Sequence, residues 1–160
     1  MKKFFVIVAV VAMTVLTGCS DFFIDVTAVH NGLVDRMDAV LQAEESFYGE
    51  YFEIQEGDSV ETLVANYETM QAAYDDLDKY FTETKFASSQ QVFVDEYNEI
   101  YKEQVKGYIA NAGEFVAFVK ENGFVLTEAE PYFEQMDDFG ESFIDIHNQL
   151  IGTINLQADY

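Results

Sequence analysis

The chain has 160 residues, a formal net charge of −22 and a single proline, and 49% of its residues are hydrophobic. So much apolar mass argues against a disordered chain, and the length suits one domain with a sizeable core. A field of this sign repels nucleic-acid phosphates and anionic lipid head groups, so nucleic acid is excluded as a partner.

The first segment of the chain has the three parts of a secretory signal. Lys2 and Lys3 give a positive start, residues 4–16 are apolar apart from Thr14, and small residues follow. The apolar stretch of about 13 residues is shorter than the roughly 20 that span a bilayer as a helix. We therefore predict export and removal of residues 1–18. Loss of the two lysines from a net charge of −22 would leave −24.

The signal ends in Leu16-Thr17-Gly18-Cys19, which contains the only cysteine of the chain. This run resembles the lipobox of bacterial lipoproteins, in which a Leu and small residues precede an obligatory Cys. The resemblance covers the signal alone and implies cleavage before Cys19 and lipid on its thiol. Two or three acyl chains would hold the protein stably on the outer face of the cell membrane or on an outer membrane. The alternative is a plain signal peptide with a chance cysteine.

Residues 19–160 are predicted to form one helical domain. Apolar residues recur three and four positions apart, as in amphipathic helices. The predicted helices cover about 25–53, 59–82, 89–122 and 128–156. Gly57 and Gly123 stand past the first and third helices, where a left-handed residue is favoured. Short links between long helices force antiparallel neighbours, so the sequence predicts an all-α, up-down-up-down four-helix bundle.

Each predicted helix has one stripe of inward-facing positions. They are Val26, His30, Leu33, Met37, Val40, Glu44, Phe47 and Tyr51 in the first helix, Val60, Leu63, Tyr67, Met70, Tyr74, Leu77 and Phe81 in the second, Val94, Tyr97, Tyr101, Val105, Tyr108, Ala112, Phe115 and Val119 in the third, and Ala129, Phe133, Met136, Gly140, Phe143, His147, Leu150 and Ile154 in the fourth. The aromatic members could line a ligand groove, but core packing is the commoner role. Glu44 is the one carboxylate on a stripe, whereas the pair Asp75–Asp76 faces different ways as solvated surface.

Both histidines of the chain fall on these stripes, His30 near the start of the first helix and His147 near the end of the last. Antiparallel packing would bring them into one layer, at the level of Tyr97 and Asp78. One interpretation is a bis-histidine site for haem or a transition metal. The other is a buried polar layer that fixes helix register through hydrogen bonds.

The placement of the two histidines looks like that of the axial ligands in exported b-type cytochromes built as four-helix bundles. The resemblance implies haem between His30 and His147, although that family uses Met for the first ligand and shares no other motif with this chain. A ferritin-like di-iron site needs Glu three residues before each His. Thr27 and Ile144 stand at those positions, so that site is excluded.

No phosphate loop, zinc-protease motif or motif for covalent haem is present, so we predict no enzymatic activity. The predicted function is a binding or structural module of the cell envelope. A short tether after Cys19 would keep the start of the first helix near the membrane and turn an acidic end outward, as a candidate surface for cations or a basic protein partner. The alternative is a solvated surface that keeps the protein soluble. The carboxylates of this distal end are Glu50, Glu53, Glu56, Asp58, Glu61, Glu121, Glu128 and Glu130.

Overall fold

The computed structural model describes residues 24–158, except for the side chains at 133, 136–144, 146–147 and 155–158. Throughout this part of the chain the regular elements are helical and no strand occurs, which confirms the all-α class. The elements are α1 (Val26–Glu53), α2 (Glu61–Glu83), a 3₁₀ turn (Ser88–Gln90), α3 (Gln91–Glu96), a π-helical turn (Tyr97–Tyr101), α4 (Lys102–Asn122) and α5 (Leu126–Ala158). The predicted signal peptide and Cys19 lie outside the described residues.

The helix ends follow from a few capping residues. Asp25 caps α1, because its Oδ1 accepts a hydrogen bond from the N–H of Ala28 at 3.0 Å. Gly57 follows α1 with φ of 92°, and Gly123 ends α4 with φ of 73°. A side chain is strained at such angles and glycine is not, so the chain turns where the two glycines predicted it.

The predicted third helix contains a π-helical turn. The 3₁₀ turn leads into α3, and α3, the π turn and α4 then continue without a break. The N–H of Lys102 bonds the carbonyl of Tyr97, five residues back instead of four. One extra residue rotates the preceding stretch by about 100°. Phe93, which is 1% exposed, therefore lies in the core. Val94, which was predicted to face inward, is half-buried and packs against the margin of that core.

The core lies along the inward faces of the helices and is rich in aromatic side chains. Its largest fully buried members are Tyr97, Tyr101, Tyr108, Phe47, Phe93, Phe115, Leu33, Leu63, Met70 and Leu77. Val26 was predicted inward but is 42% exposed, because it begins the first turn of α1, beyond the packed layers. His30, Val60 and Tyr67 are half-buried at the margins of the core.

Helices α1 and α2 interlock at a glycine. The Tyr80 hydroxyl of α2 donates to the Val29 carbonyl of α1 at 2.8 Å. It passes so close to Gly32 that a Cβ there would lie 2.6 Å from the hydroxyl oxygen. The Arg36 guanidinium covers the Tyr80 ring at 4.2 Å, and its Nε lies 2.9 Å from Asp76 Oδ2. The contact fixes how far α2 slides along α1.

Packing contacts join the helices pairwise. Helix α1 packs on α2, α2 on α4, and α4 on α5. Helix α5 also contacts α1, α3 and the π turn. None of the described helices combines the length and the apolar character needed to cross a membrane.

Candidate functional site

The structure describes the side chain of His30 but not that of His147. His30 lies on α1, half-buried, with its ring centroid 6.1 Å from that of Phe93. His147 belongs to α5, but its side chain is outside the described set. The bis-histidine site for haem or a transition metal therefore stays a prediction. Among the residues that the structure describes, no group of three or more His, Cys, Asp or Glu side chains is arranged to hold a metal ion.

The other two residues predicted at the histidine level do meet. The Tyr97 hydroxyl donates to Asp78 Oδ1 at 2.5 Å, and Lys102 Nζ lies 2.8 Å from the same oxygen. Partial burial alone would raise the pKa of Asp78, but the hydrogen bonds from Lys102 and Tyr97 hold that pKa below its ordinary value. Burial and the bond to Asp78 raise the pKa of Tyr97 far above the ordinary tyrosine range. The result is a charged, hydrogen-bonded contact between α2 and the π turn.

The π turn accounts for this convergence. Tyr97 and Lys102 are five residues apart, and in a regular α-helix that spacing would separate them by about 140° around the axis. A π turn, whose hydrogen bonds span five residues, brings both onto the side that faces Asp78. Single π turns of this kind are frequent at functional sites.

A cavity of about 300 Å³ opens beside this contact, between α2 and the π turn with α4. We call it the tyrosine cavity. Its lining residues are Tyr67, Gln71, Tyr74, Asp75 and Asp78 from α2, and Tyr97, Lys102, Lys106, Ile109 and Ala110 from the facing elements. Acidic side chains come only from α2 and basic ones only from α4. The cavity therefore has one negative and one positive wall, joined by three tyrosines.

Tyr74 connects the tyrosine cavity to the core. Its ring stacks on that of Tyr101, with centroids 6.0 Å apart. Behind this pair lies Glu44 of α1, which is 7% exposed and whose Oε1 has no hydrogen-bond partner among the described residues. The inward position predicted for Glu44 is confirmed.

Burial raises the pKa of Glu44 to about 8, so the carboxyl group is mostly protonated at neutral pH. Burial is the largest cause of the raised pKa values of Tyr101 and Tyr108. The proximity of Glu44 adds to both, and for Tyr108 the neighbouring Tyr48 contributes more than Glu44. A neutral acid surrounded by neutral phenols can exchange hydrogen bonds without introducing charge into the core. Glu44 is therefore a polar but uncharged group of the core next to Tyr74 and Tyr101.

Some residues of this site were predicted from the sequence and others were not. Tyr67, Tyr74 and Tyr97 were predicted on stripes, and Asp78 was predicted beside one. Lys102, Lys106 and the cavity-facing role of Asp75 were missed. A usable signal was present in the buried residues Phe93, Tyr97, Tyr101 and Val105, which are each four positions apart. In a regular α-helix each spacing of four residues turns about 40° more than one full turn, so three of them would move the stripe by about 120° around the helix. One inserted residue adds about 100° and so largely cancels that drift.

Comparisons with known proteins add no family. No family model matches the chain, and neither curated proteins nor solved structures show significant similarity to it. The function is therefore inferred from the geometry of the tyrosine cavity and from the sequence of the first nineteen residues.

Proposed function

We propose that this chain is an exported, lipid-anchored helical bundle that binds a small molecule in the tyrosine cavity without transforming it. The observation that carries the proposal is the cavity itself, with opposed charged walls and an aromatic floor built over a π turn. Binding clefts for small molecules combine apolar and aromatic lining with a few placed polar groups. The lowered pKa of Asp78 supports binding over catalysis, because it makes this carboxylate a weak base.

We further infer that the helices form an up-down-up-down four-helix bundle in which α3, the π turn and α4 act as one rod. The support is the pattern of contacts. Such a bundle needs each helix to touch the next one and the last to touch the first. Contacts of α1 with α2, α2 with α4, α4 with α5, and α5 with α1 supply those four interfaces.

The anchor is proposed from the sequence Leu16-Thr17-Gly18-Cys19. A lipidated Cys19 would place the protein on the outer face of the cell membrane or on an outer membrane. Asp25 caps α1 only six residues after Cys19, which supports a short tether and an orientation with the start of α1 next to the lipid. The acidic distal end would then face outward, as a candidate surface for cations or a basic protein partner.

The binding proposal is tested by blocking the cavity. Ala110 and Ala117 are exposed alanines one heptad apart on α4, and only Ala110 lines the cavity. Ala110→Phe should fill the cavity, while Ala117→Phe adds the same ring elsewhere on the helix. We expect mass spectrometry of the protein purified from its native envelope to find a small molecule with wild type and Ala117→Phe, and not with Ala110→Phe. Equal content in all three would contradict the proposal.

The anchor is tested separately. Cells given a labelled fatty acid should transfer the label to the wild-type chain and not to Cys19→Ser. The substituted chain should also leave the membrane fraction. Label that survives the substitution would overturn the anchor and leave the binding proposal untouched.

A further inference from the structure

We propose that the ligand of the tyrosine cavity is a small zwitterion, a molecule of amino-acid size that carries one ammonium group, one carboxylate and an apolar substituent. This inference rests on the proposed binding function and specifies the chemical class of the ligand. The feature that points to it is the separation of charge across the cavity, with carboxylates on the α2 wall and ammonium groups on the α4 wall.

Helix geometry produces the two walls. Asp75 and Asp78 are three residues apart on α2, and Lys102 and Lys106 are four apart on α4, so each pair lies on one face of its helix. Asp78 and Lys102 are engaged with each other at 2.8 Å at one end of the cavity. Asp75 forms no ion pair in the described part of the chain. The site therefore has an acidic group whose charge is not neutralised by a direct partner.

The opposite wall has a matching basic group in Lys106. Its ammonium lies 3.1 Å from Glu103, but the two side chains are 58% and 77% exposed. A pair so exposed to water is weak, and Lys106 can turn to a carboxylate in the cavity at little cost. Asp75 and Lys106 thus offer one contact of each sign to a bound molecule.

The surrounding charge disfavours ligands with a single charge. An anion would approach against a net charge of −22 and meet both aspartates. A cation would be drawn by that field but would meet Lys102 and Lys106, two of the eight basic residues of the chain. A zwitterion satisfies both walls and carries no net charge across the field.

The floor and the volume define the rest of the ligand. Tyr74 and Tyr97 are buried, and with Tyr67 and Ile109 they give an aromatic and aliphatic surface. A volume of about 300 Å³ is at the small end of ligand clefts, which span roughly 300–1,000 Å³. A single apolar side chain fits this surface, whereas a lipid or a folded peptide does not.

The experiment uses probes that share a side chain and differ only in charge. Phenylalanine, phenethylamine and 3-phenylpropionate form one set; leucine, 3-methylbutylamine and 4-methylpentanoate form an aliphatic set. Titration calorimetry on the full chain should show one zwitterion binding at least about tenfold tighter than its amine and its acid, a difference of about 1.4 kcal/mol. Ala110→Phe should abolish that binding, and Ala117→Phe should leave it unchanged.

Two charge variants assign the walls. Asp75→Asn should weaken the zwitterion and the amine and spare the acid, while Lys106→Gln should weaken the zwitterion and the acid and spare the amine. Lys120→Gln on the same helix, outside the cavity, is the control and should change none of them.

The outcomes separate this inference from the proposed function. An amine or an acid that binds as tightly as its zwitterion overturns the zwitterion assignment, and so does the failure of all six probes. If the Ala110-dependent small molecule is still found in protein from the native envelope, the binding function stands and only its ligand class is wrong. If that molecule is also absent, both are wrong.

Discussion

Glu44 places a carboxyl group among tyrosine rings in the core, where its protonation state matters for stability. Burial raises its pKa from 4.5 to about 8, so between those values the folded state holds a proton that the unfolded state releases. The stability contributed by neutral Glu44 is complete below about pH 4.5 and is lost as the pH rises through 8. The slope is at most about 1.4 kcal/mol per pH unit. We expect urea denaturation to show a free energy of unfolding that falls over this range.

Glu44→Gln isolates this effect from the other carboxylates. Glutamine has nearly the same shape and no ionisable proton, so its variant should lose the part of the pH dependence that belongs to position 44. The free energy of unfolding of Glu44→Gln relative to wild type should therefore increase as the pH rises. Parallel pH profiles of the two proteins would show that Glu44 does not titrate in the core.

Gly32 and Gly49, both on α1, give a matched pair of substitutions. Alanine at Gly49 meets no atom within 4 Å and should stabilise the helix by roughly 0.5–1 kcal/mol, its gain in helix propensity. Alanine at Gly32 would meet the Tyr80 hydroxyl at 2.6 Å and displace it from the Val29 carbonyl. We expect thermal melts to rank Gly32→Ala below Gly49→Ala by about 1–3 kcal/mol. Equal melting temperatures would show that the close approach of Tyr80 to Gly32 does not restrict the residue at position 32.

At the scale of elements, the π turn contains one residue more than an α-helix needs. Deleting Asn98, an exposed residue within it, would leave Phe93 and Tyr97 seven and three positions before Tyr101, the spacing of a regular helical stripe. We therefore expect the deletion to keep a cooperative fold, with unchanged helical circular dichroism, and to disturb the tyrosine cavity. Deleting exposed Glu114, in regular α4, should rotate one half of the stripe by about 100° and lower stability severely. Comparable melting of the two deletions would contradict this.

The helices were predictable from the sequence because their signals are local. Gly57 and Gly123 act on neighbouring backbone, and among the described side chains the three-and-four spacing identified the buried face of most turns. The π turn was not predicted, because an inserted residue is invisible to a pattern that assumes 3.6 residues per turn throughout. Val94 and Phe93 are adjacent and both apolar, so only the extra rotation decides between them.

The tyrosine cavity was less predictable than the helices because it depends on the register between them. Asp75 and Asp76 were predicted to face different ways. Which partner each meets depends on how α2 sits between its neighbours: Asp76 reaches Arg36 on α1, and Asp75 lines the cavity. Lys102 reaches Asp78 only because the π turn rotates it there.

At the scale of the whole molecule, a net charge of −22 makes self-repulsion a general destabilising force. Salt screens that repulsion. It also weakens exposed ion pairs such as Lys106–Glu103, but these pairs contribute little free energy to begin with. We expect the melting temperature to rise with sodium chloride, by about 3–4 °C for each kcal/mol gained. A fall would show that ion pairs outweigh repulsion.

Calcium distinguishes general screening from a bound cation at the acidic distal end. At matched ionic strength we expect calcium chloride and sodium chloride to raise the melting temperature equally, as for a solvated acidic surface. A larger rise with calcium, removed by neutralising Asp58 and Glu61, would instead support a cation site at that end.

The position of Asp25 at the start of α1 limits how far the cavity can lie from a lipid anchor on Cys19. Six residues reach at most about 20 Å, whereas the 28 residues of α1 extend about 42 Å. The Tyr80–Val29 contact puts the end of α2 beside the start of α1, and Asp78 lies about 8 Å before that end. With lipid on Cys19, the lower rim of the cavity would stay within roughly 30 Å of the bilayer. Encounters with any other protein held in the same membrane would then be a two-dimensional search.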